Sequence, residues 1–494
     1  MAMKLRGNAL AGTAEQVVVG IAYFVSYGVL IRFAGADAVG VLSLVLILAS
    51  IGSMTGTGFA SALAHFVPLF ESSGDRESTV KCIDTTLACT SVLYIATIGL
   101  AYLPLTALIA AQAGPANEAL VRQLMIPAAL HVVFLGVGST TSIALTALQR
   151  SDARLMATMA GVAVGLVVLF AGVSEYGVLA GLWAMAVQSA VFGLAGWVYL
   201  AFLLPEVGPL PRRFDMAMAR RLLGLGTNLQ IQTILVAAIE PVTRLLIGQY
   251  GSLAAVAYFS MASRYVIQVR ALIFSGAQPL LSAFSHARLA GGNEWAELYG
   301  RARSTLNFLA IVLLSGAAGA APFVAEVWTG SLERSFVLFT AALAFGWAVN
   351  TIALTSYFNA YSLGKMNRSL VGHALLVGLT AALGFPLAAF MGASGAVWGL
   401  SLALVLSGVF LLAANGHYAP ADAPRPALAR DALLAILATA GAALAIAVYF
   451  WLREGQAPLV AGLGSGLAWL LVVAPAALAH PTLRPYWTRN PARV

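Results

Sequence analysis

The sequence predicts an all-α polytopic membrane protein with about fourteen transmembrane helices. Of its 494 residues, 60% are hydrophobic and only 9% are charged, whereas soluble domains are roughly 45–50% apolar and about 25% charged. The apolar residues also form stretches of roughly 20 residues, the length that crosses a bilayer. Finally, Lys and Arg are abundant in every second connection between these stretches and scarce in the others.

The predicted segments are joined by short connections. They cover residues 9–33, 39–66, 84–109, 123–148, 154–173, 178–204, 222–249, 253–284, 304–328, 335–362, 369–391, 395–415, 431–452 and 459–479. Residues 1–14 resemble a signal peptide, but Glu15 and Gln16 interrupt the apolar run and no convincing cleavage site follows. We therefore expect this segment to remain as the first span.

The basic residues orient the chain. With the N-terminus inside, twenty Lys and Arg lie on one side of the membrane, and four lie on the other, namely Arg32, Arg122, Arg334 and Arg453. Because basic residues concentrate in cytoplasmic loops, both termini are predicted to be cytoplasmic. The net charge of +8 reflects this topology, and no nucleic-acid partner is expected.

Cysteine, histidine and glycine patterns exclude several kinds of chemistry. Cys82 and Cys89 lie about 10 Å apart along one predicted helix, too far for a mutual disulfide. No Cys/His cluster has metal-binding spacing, and no P-loop is present. We therefore expect no metal, no cofactor, no catalytic residue and no direct ATP hydrolysis.

The first twelve segments divide into two similar halves at an offset of about 215 residues. Gly12-Thr13 recurs as Gly226-Thr227, and Leu30–Gly35 recurs as Leu246–Gly251. Two six-helix copies of the same orientation are related by an axis along the membrane normal. The predicted domains are therefore two six-helix lobes and a third part with a Pro-rich linker, two further helices and a cytoplasmic tail: 1–204, 205–418 and 419–494.

The chain resembles the multidrug/oligosaccharidyl-lipid/polysaccharide (MOP) exporter superfamily, specifically its Wzx-type polysaccharide flippases. The resemblance rests on the fourteen-span layout and on four motifs: Arg6-Gly7-Asn8, Leu30–Gly35, Gly40 and Tyr258–Arg264. It implies two lobes around a central cavity that opens alternately inward and outward. It also implies a bacterial cytoplasmic (inner) membrane protein that carries an undecaprenyl-pyrophosphate-linked glycan for O-antigen or exopolysaccharide export. Its implied partners are membrane lipids, a polysaccharide polymerase, glycosyltransferases, and H⁺ or Na⁺ as coupling ion.

Four ionisable residues lie inside the seventh and eighth predicted segments: Glu240, Arg244, Arg264 and Arg270. A charge at bilayer depth costs at least about 2.5–3.5 kcal/mol on insertion scales, so such residues usually face a protein interior or an aqueous cavity. On a helical projection, one arc of about 80° on the eighth segment holds the polar residues Ser260, Arg264, Gln268, Ser275, Gln278 and Ser282. Arg270 projects away from this stripe.

An arginine fork that binds phosphate oxygens, beside polar and aromatic groups for sugars, suits an anionic glycan headgroup. The predicted substrate-binding residues are Arg264 first and Arg244 second, with Gln268, Ser260, Asn350 and Tyr357. Glu240 and Glu15 are the predicted ion-coupling residues.

Structural alternatives stay open for the same charged residues. Glu240 and Arg244 can neutralise each other within one helix, and Arg264 can bind backbone carbonyls. Arg270 can pack or extend toward the interface, and Glu15 and His131 can join helices.

Three other functions compete with polysaccharide flipping. A lipid II flippase typically has dense charges in its first two spans, where this chain has only Glu15, Arg32 and His65. A cation-coupled drug exporter usually has twelve spans and a carboxylate-rich cavity. A membrane glycosyltransferase or polymerase commonly has a sizeable outer loop, and every predicted outer loop here is short.

Overall fold

The computed structural model describes residues 2–208, 211–290, 293–424 and 428–483, and the regular structure within these residues is helical. A 3-10 turn, Pro115–Asn117, precedes α4. The side chains of residues 2–10, 13, 53–61, 225–229, 282, 289–290 and 428 lie outside the described part. The helices are α1 (Ala2–Val45), α2 (Ile47–Ser72), α3 (Arg76–Ala113), α4 (Glu118–Ala147), α5 (Ser151–Tyr176), α6 (Val178–Leu203), α7 (Met216–Tyr250), α8 (Leu253–Ala277), α9 (Leu280–Ala290), α10 (Glu294–Thr329), α11 (Arg334–Ile352), α12 (Leu354–Ser362), α13 (Asn367–Met391), α14 (Ala393–Gly416), α15 (Leu428–Arg453) and α16 (Pro458–Ala479).

The predicted all-α membrane class is confirmed. Within the described residues, 12 helices are long and apolar enough to cross a membrane. The first of them, 14–52, covers most of the first predicted segment and the beginning of the second. Helix α8 is not among the 12 because two arginines and a glutamine lower its hydropathy, yet it forms where the eighth segment was predicted.

Three helix boundaries differ from the prediction. The second predicted segment, 39–66, is divided at Leu46 between α1 and α2. The break of α1 at Gly35, whose φ of 81° and ψ of 164° are accessible to glycine at little cost, lies in the connection predicted between the first two segments. Helix α8 ends at Ala277, two residues before Pro279, which cannot continue the helical hydrogen bonding. The tenth predicted segment is divided at Ala353 into α11 and α12.

These breaks shorten the predicted polar stripe of the eighth segment and place two predicted binding residues on different helices. Gln278 lies beyond the end of α8, so it does not extend the stripe that begins at Ser260. The side chain of Ser282 lies outside the described residues. Asn350 belongs to α11 and Tyr357 to α12, so a projection on one continuous helix does not apply to them.

The chain divides into two compact units, residues 1–257 and 258–494. In the first unit, α7 packs against α2 and α3, and α5 pairs with α6. The backbones of α5 and α6 are close together, since a Cβ atom at Gly161 on α5 would lie 2.7 Å from the carbonyl oxygen of Gln188 on α6. The domain boundary predicted at 204/205 stays a prediction.

In the second unit, α13 pairs with α14, and α15 and α16 pack against α10. The first pair is also in backbone contact, because a Cβ atom at Gly395 would lie 1.9 Å from the carbonyl oxygen of Leu387. Two polar groups fasten the C-terminal helices to α10. Glu326 binds Arg453 and Tyr449, and Asn307 donates to Asp431, which also contacts His480.

Candidate substrate-binding site

A guanidinium group lies close to two aromatic rings inside the second unit. The Cζ atom of Arg270 lies 4.2 Å from the centroid of Trp347 on α11 and 5.9 Å from that of Phe274 on α8. Arginine stacks well on aromatic faces because its charge is spread over a planar group. Stacking occupies the flat face of the guanidinium and leaves its N–H edges open to other groups.

Tyr357 and His373 complete this site, which we call the Arg270 cluster: Arg270, Phe274, Trp347, Tyr357 and His373. The rings of Tyr357 and His373 lie 6.2 Å apart at an interplanar angle of 76°. Both side chains are close enough to Arg270 to interact with it electrostatically. Helices α8, α11, α12 and α13 therefore each contribute to one cluster.

The donors of Arg270 have no protein acceptor within the part of the chain that the structure describes. Its Nε atom is fully buried without a hydrogen-bond partner, and no ion pair includes this residue. A guanidinium carries five N–H donors, and leaving buried donors unsatisfied is costly. The cluster can therefore bind an acceptor with several oxygens, such as a phosphate or carboxylate group.

The two helices that carry Arg270 and His373 place these residues at similar depths. Arg270 precedes the end of α8 at Ala277 by seven residues, and His373 follows the start of α13 at Asn367 by six residues. At about 1.5 Å per residue, both lie roughly 10 Å from those helix ends. The predicted topology assigns both ends to the cytoplasmic side.

The predicted pair Glu240 and Arg244 forms an ion pair within α7. Arg244 Nη2 donates to Glu240 Oε2 over 2.8 Å, and the two side chains are 1% and 21% exposed, respectively. The alternative in which these residues neutralise each other is thus the arrangement that the structure contains. Arg244 is therefore fully buried, and the carboxylate of Glu240 balances its charge.

The remaining predicted binding residues are dispersed over the second unit. Ser260 is fully buried, while Arg264 and Gln268 are half-buried on α8 and each has an interaction partner. Asn350 donates to Ser407 over 3.3 Å and so joins α11 to α14. Of the six residues predicted to bind substrate, only Tyr357 belongs to the Arg270 cluster.

Glu15 and His131 connect helices in the first unit. Glu15 on α1 forms an ion pair with Arg154 and accepts a hydrogen bond of 2.9 Å from the hydroxyl of Thr158, both on α5. His131 Nδ1 lies 3.1 Å from the carbonyl oxygen of Met185 and 2.8 Å from the hydroxyl of Ser189, both on α6, and the residue lines a cavity of about 40 Å³. A cavity needs at least about 10–15 Å³ to hold one water molecule, so this one is large enough for a water.

An apolar groove of about 410 Å³ lies between α10, α11 and α15, with Trp398 of α14 at its wall. Small and branched side chains such as Ala344, Val349, Ala442 and Ile446 line it. A groove with this lining can hold a hydrocarbon chain, because burial of apolar surface is favourable by about 25 cal/mol per Å².

The sequence did not single out Trp347 or His373. Neither lies on a polar stripe, and their contact with Arg270 depends on how three helices pack. No sequence signal identified these two residues. The position of Arg270 away from the polar stripe indicated only that its charge must reach the membrane–water interface or contact another residue. Among the described residues, no group of three or more His, Cys, Asp or Glu side chains could hold a metal ion.

Comparisons with known proteins identify a family and solved structures with a similar fold. The profile of a family described as "Polysaccharide biosynthesis protein" matches residues 29–337. The structure of a lipid II flippase, MurJ, in an inward closed conformation is similar with a TM-score of 0.73 at 14% identity, covering 96% of this chain and 98% of that one. No match to a curated protein sequence is found.

Two further solved structures share the fold. An inward-facing MATE family multidrug resistance transporter of the MOP superfamily has a TM-score of 0.69 at 14% identity, covering 83% of this chain and 97% of that one. A MOP superfamily transporter from Pyrococcus furiosus, described as having a binding pocket of reverse polarity, has a TM-score of 0.57 at 14% identity, covering 83% and 95%. At these identities the likeness concerns the fold.

Proposed function

Because the chain belongs to the polysaccharide biosynthesis protein family and has the fold of the MOP exporters, we propose that it flips a lipid-linked oligosaccharide across the membrane. The resemblance drawn from its sequence is thereby confirmed at the level of family and fold. The proposed substrate is a glycan on undecaprenyl pyrophosphate, which moves from the cytoplasmic to the outer leaflet by alternating access. The observation that carries this proposal is the acceptor-free guanidinium of the Arg270 cluster.

The chemistry of the cluster matches the polar part of such a substrate. Phosphate oxygens bind the edges of an arginine through charge-assisted hydrogen bonds, each stronger than a neutral one. Trp347 and Tyr357 place aromatic rings beside this arginine, and aromatic rings are surfaces on which sugars stack. Since the cluster contains no carboxylate, it favours binding of an anionic substrate over binding of the organic cations that a drug exporter carries.

The apolar groove supports the lipid part of the proposal. It lies in the same unit as the Arg270 cluster, and both include residues of α11. A polyprenyl chain in this groove would stay in an apolar environment, while its pyrophosphate binds arginine. Lipid II has the same kind of lipid carrier, so the groove does not distinguish the two substrates. The family match is what favours an oligosaccharide destined for surface polysaccharide.

Other parts of the proposal concern place and partners. We assign the protein to the bacterial inner membrane with both termini cytoplasmic, beside the glycosyltransferases that build the glycan and the polymerase that consumes it. H⁺ or Na⁺ is the proposed driving ion. Glu240, which is partly exposed beside Arg244, is a better candidate for coupling than Glu15, which is tied to α5 by Arg154 and Thr158.

The test is to replace Arg270 with Gln and to measure binding and flipping of a fluorescent undecaprenyl-pyrophosphate oligosaccharide in proteoliposomes. Loss of two charge-assisted hydrogen bonds at about 1.5 kcal/mol each predicts an affinity roughly 100-fold weaker. Arg301→Gln removes the same charge from an exposed pair with Glu297 and should leave binding within about twofold.

The same assay distinguishes Arg270 from the residue ranked first on the sequence, Arg264. If Arg264→Gln abolishes binding and Arg270→Gln does not, the headgroup site lies at the polar stripe and the assignment to the Arg270 cluster is wrong. If both variants bind and flip the substrate normally at wild-type protein levels, the proposed function loses its chemical basis.

A further inference from the structure

The segment that joins α6 to α7 is fixed to the first unit on its inner side. Leu204 and Val207 are buried in a core cluster with Met218 and Leu222. The indole N–H of Trp197 donates to the carbonyl oxygen of Gly208 over 3.1 Å. The segment therefore has a defined inner face and a defined outer face.

A buried carboxylate on α3 holds the backbone of the same segment. Asp84 Oδ2 accepts hydrogen bonds from the backbone N–H groups of Arg212 and Arg213 over 3.2 and 3.1 Å. Thr85 Oγ1 accepts from the backbone N–H of Asp215 over 3.1 Å. The backbones of Arg212 and Arg213 are therefore anchored to α3, while their side chains are exposed.

The exposed side continues onto the first turns of α7. Met216, Arg220 and Leu223 are spaced i, i+4 and i+7, which places them on one helical stripe. Each is exposed, as is Phe214 just before the helix. Met218, Ala219 and Leu222 are buried. Large apolar side chains and arginines thus share one outward face, which we call the connector surface: Arg212, Arg213, Phe214, Met216, Arg220, Arg221 and Leu223.

None of the four arginines of the connector surface forms a side-chain hydrogen bond or an ion pair with a described residue. Arg213 lies within electrostatic range of Asp84, Glu77 and Glu206, and Arg221 lies within that of Asp215. The neighbouring acidic groups are already engaged. Glu206 binds Arg76 over 3.1 Å, and Glu77 binds Lys81 over 2.8 Å. Asp215 caps α7, and the backbone N–H groups of Met218 and Ala217 lower the pKa of its carboxyl.

Two independent estimates place this surface at the level of lipid headgroups. Helix α3 has 38 residues, about 57 Å, so roughly 13 Å would extend beyond each side of a 30 Å hydrocarbon layer. Asp84 lies eight residues from the start of α3 at Arg76, or about 12 Å. The predicted seventh span also begins at residue 222, directly after Arg220 and Arg221.

We propose that the connector surface binds anionic phospholipid headgroups of the cytoplasmic leaflet, with Phe214, Met216 and Leu223 inserted among the acyl chains. Apolar side chains insert at the acyl boundary while basic residues bind phosphates, as in interfacial amphipathic segments. This binding would hold the connection between the two predicted lobes against the membrane. It concerns bulk lipid and does not depend on the carried substrate.

The test uses the full-length protein in dodecyl maltoside, titrated with phosphatidylglycerol or phosphatidylcholine and followed by native mass spectrometry. Each arginine near a membrane surface contributes about fivefold in affinity. The double variant Arg212→Gln/Arg220→Gln should therefore bind phosphatidylglycerol roughly 25-fold more weakly. Phosphatidylcholine binding should change little, and the effect should diminish at high salt.

The matched control is Arg150→Gln/Arg301→Gln, which removes two exposed arginines that are paired with Asp152 and Glu297. An equal loss in this control would show a general effect of net charge and would overturn the proposal. Unchanged phosphatidylglycerol binding in the Arg212/Arg220 variant would also overturn it, and would leave the surface to an acidic protein partner. Substrate flipping measured in parallel separates this outcome from a failure of the proposed function.

Discussion

The group formed by Glu326, Tyr449 and Arg453 predicts a large loss of stability when its cation is removed. Arg453 donates to both carboxylate oxygens of Glu326 over 2.6–2.9 Å, and the hydroxyl of Tyr449 donates to the same carboxylate over 2.8 Å. Glu326 is 10% exposed and Arg453 is 36% exposed. Replacing Arg453 with Ala leaves a nearly buried carboxylate with one hydrogen-bond donor from this group.

Breaking a buried ion pair by removing one partner costs about 3–5 kcal/mol. Since Arg453 is partly exposed, we take the lower end, about 3 kcal/mol, which corresponds to roughly a hundredfold change in the docking equilibrium of α15. The effect should reach function, because Ala442 and Ile446 of the same helix line the apolar groove. A displaced α15 would open that groove and weaken binding of the proposed lipid-linked substrate.

Thermal unfolding in detergent measures this prediction, with Arg122→Ala as the control. Arg122 pairs with Glu118 over 2.7 Å on one helix, but its side chain is 67% exposed. Such exposed i, i+4 pairs contribute only about 0.3–0.5 kcal/mol. If Arg453→Ala and Arg122→Ala shift the unfolding midpoint equally, the reasoning from burial is refuted.

Two further predictions concern the first unit. Glu240→Leu should destabilise the protein by about 3 kcal/mol because it leaves the fully buried Arg244 without its ion-pair partner. The double variant Glu240→Leu/Arg244→Leu should be nearly neutral. A double variant as unstable as Glu240→Leu in thermal unfolding would contradict this prediction. Gly40→Ala should prevent stable folding, because its Cβ would lie 2.0 Å from the carbonyl oxygen of Leu253, whereas Gly99→Ala meets nothing within 4 Å. Yields after size-exclusion chromatography compare the two glycine variants, and equal yields would show that the contact relaxes easily.

Much of the fold follows from the sequence because lipid imposes one simple condition, a helix of apolar residues long enough to span the bilayer. The positions of the predicted segments agree with the helices for this reason. The breaks at Leu46 and Ala353 were not predicted, because apolar residues continue across both and hydropathy does not register a local change in backbone angles. The break at Gly35 lies in the connection predicted between the first two segments. Pro279 was present in the sequence, but the apolar run around it concealed the end of α8.

The candidate site was predicted only in part. The four charged residues in the membrane were identified from the sequence, and the possibility that Glu240 pairs with Arg244 followed from their spacing. The projection of α8 ranked Arg264 above Arg270, since it shows only which residues share a face of one helix. It contains no information about Trp347 or His373, which approach Arg270 from α11 and α13.

The charged residues of α8, which we propose for substrate binding, also affect the assembly of this helix in the membrane. Arg264 and Arg270 together add roughly 5–7 kcal/mol to the insertion of this helix on translocon scales. Insertion of α8 should therefore depend on helices synthesised before or after it, and an isolated α8 would enter the bilayer inefficiently. Replacement of both arginines by leucine should ease biogenesis while removing the proposed anion site. Expression level and transport would then change in opposite directions, so a well-expressed variant of this helix need not be an active one.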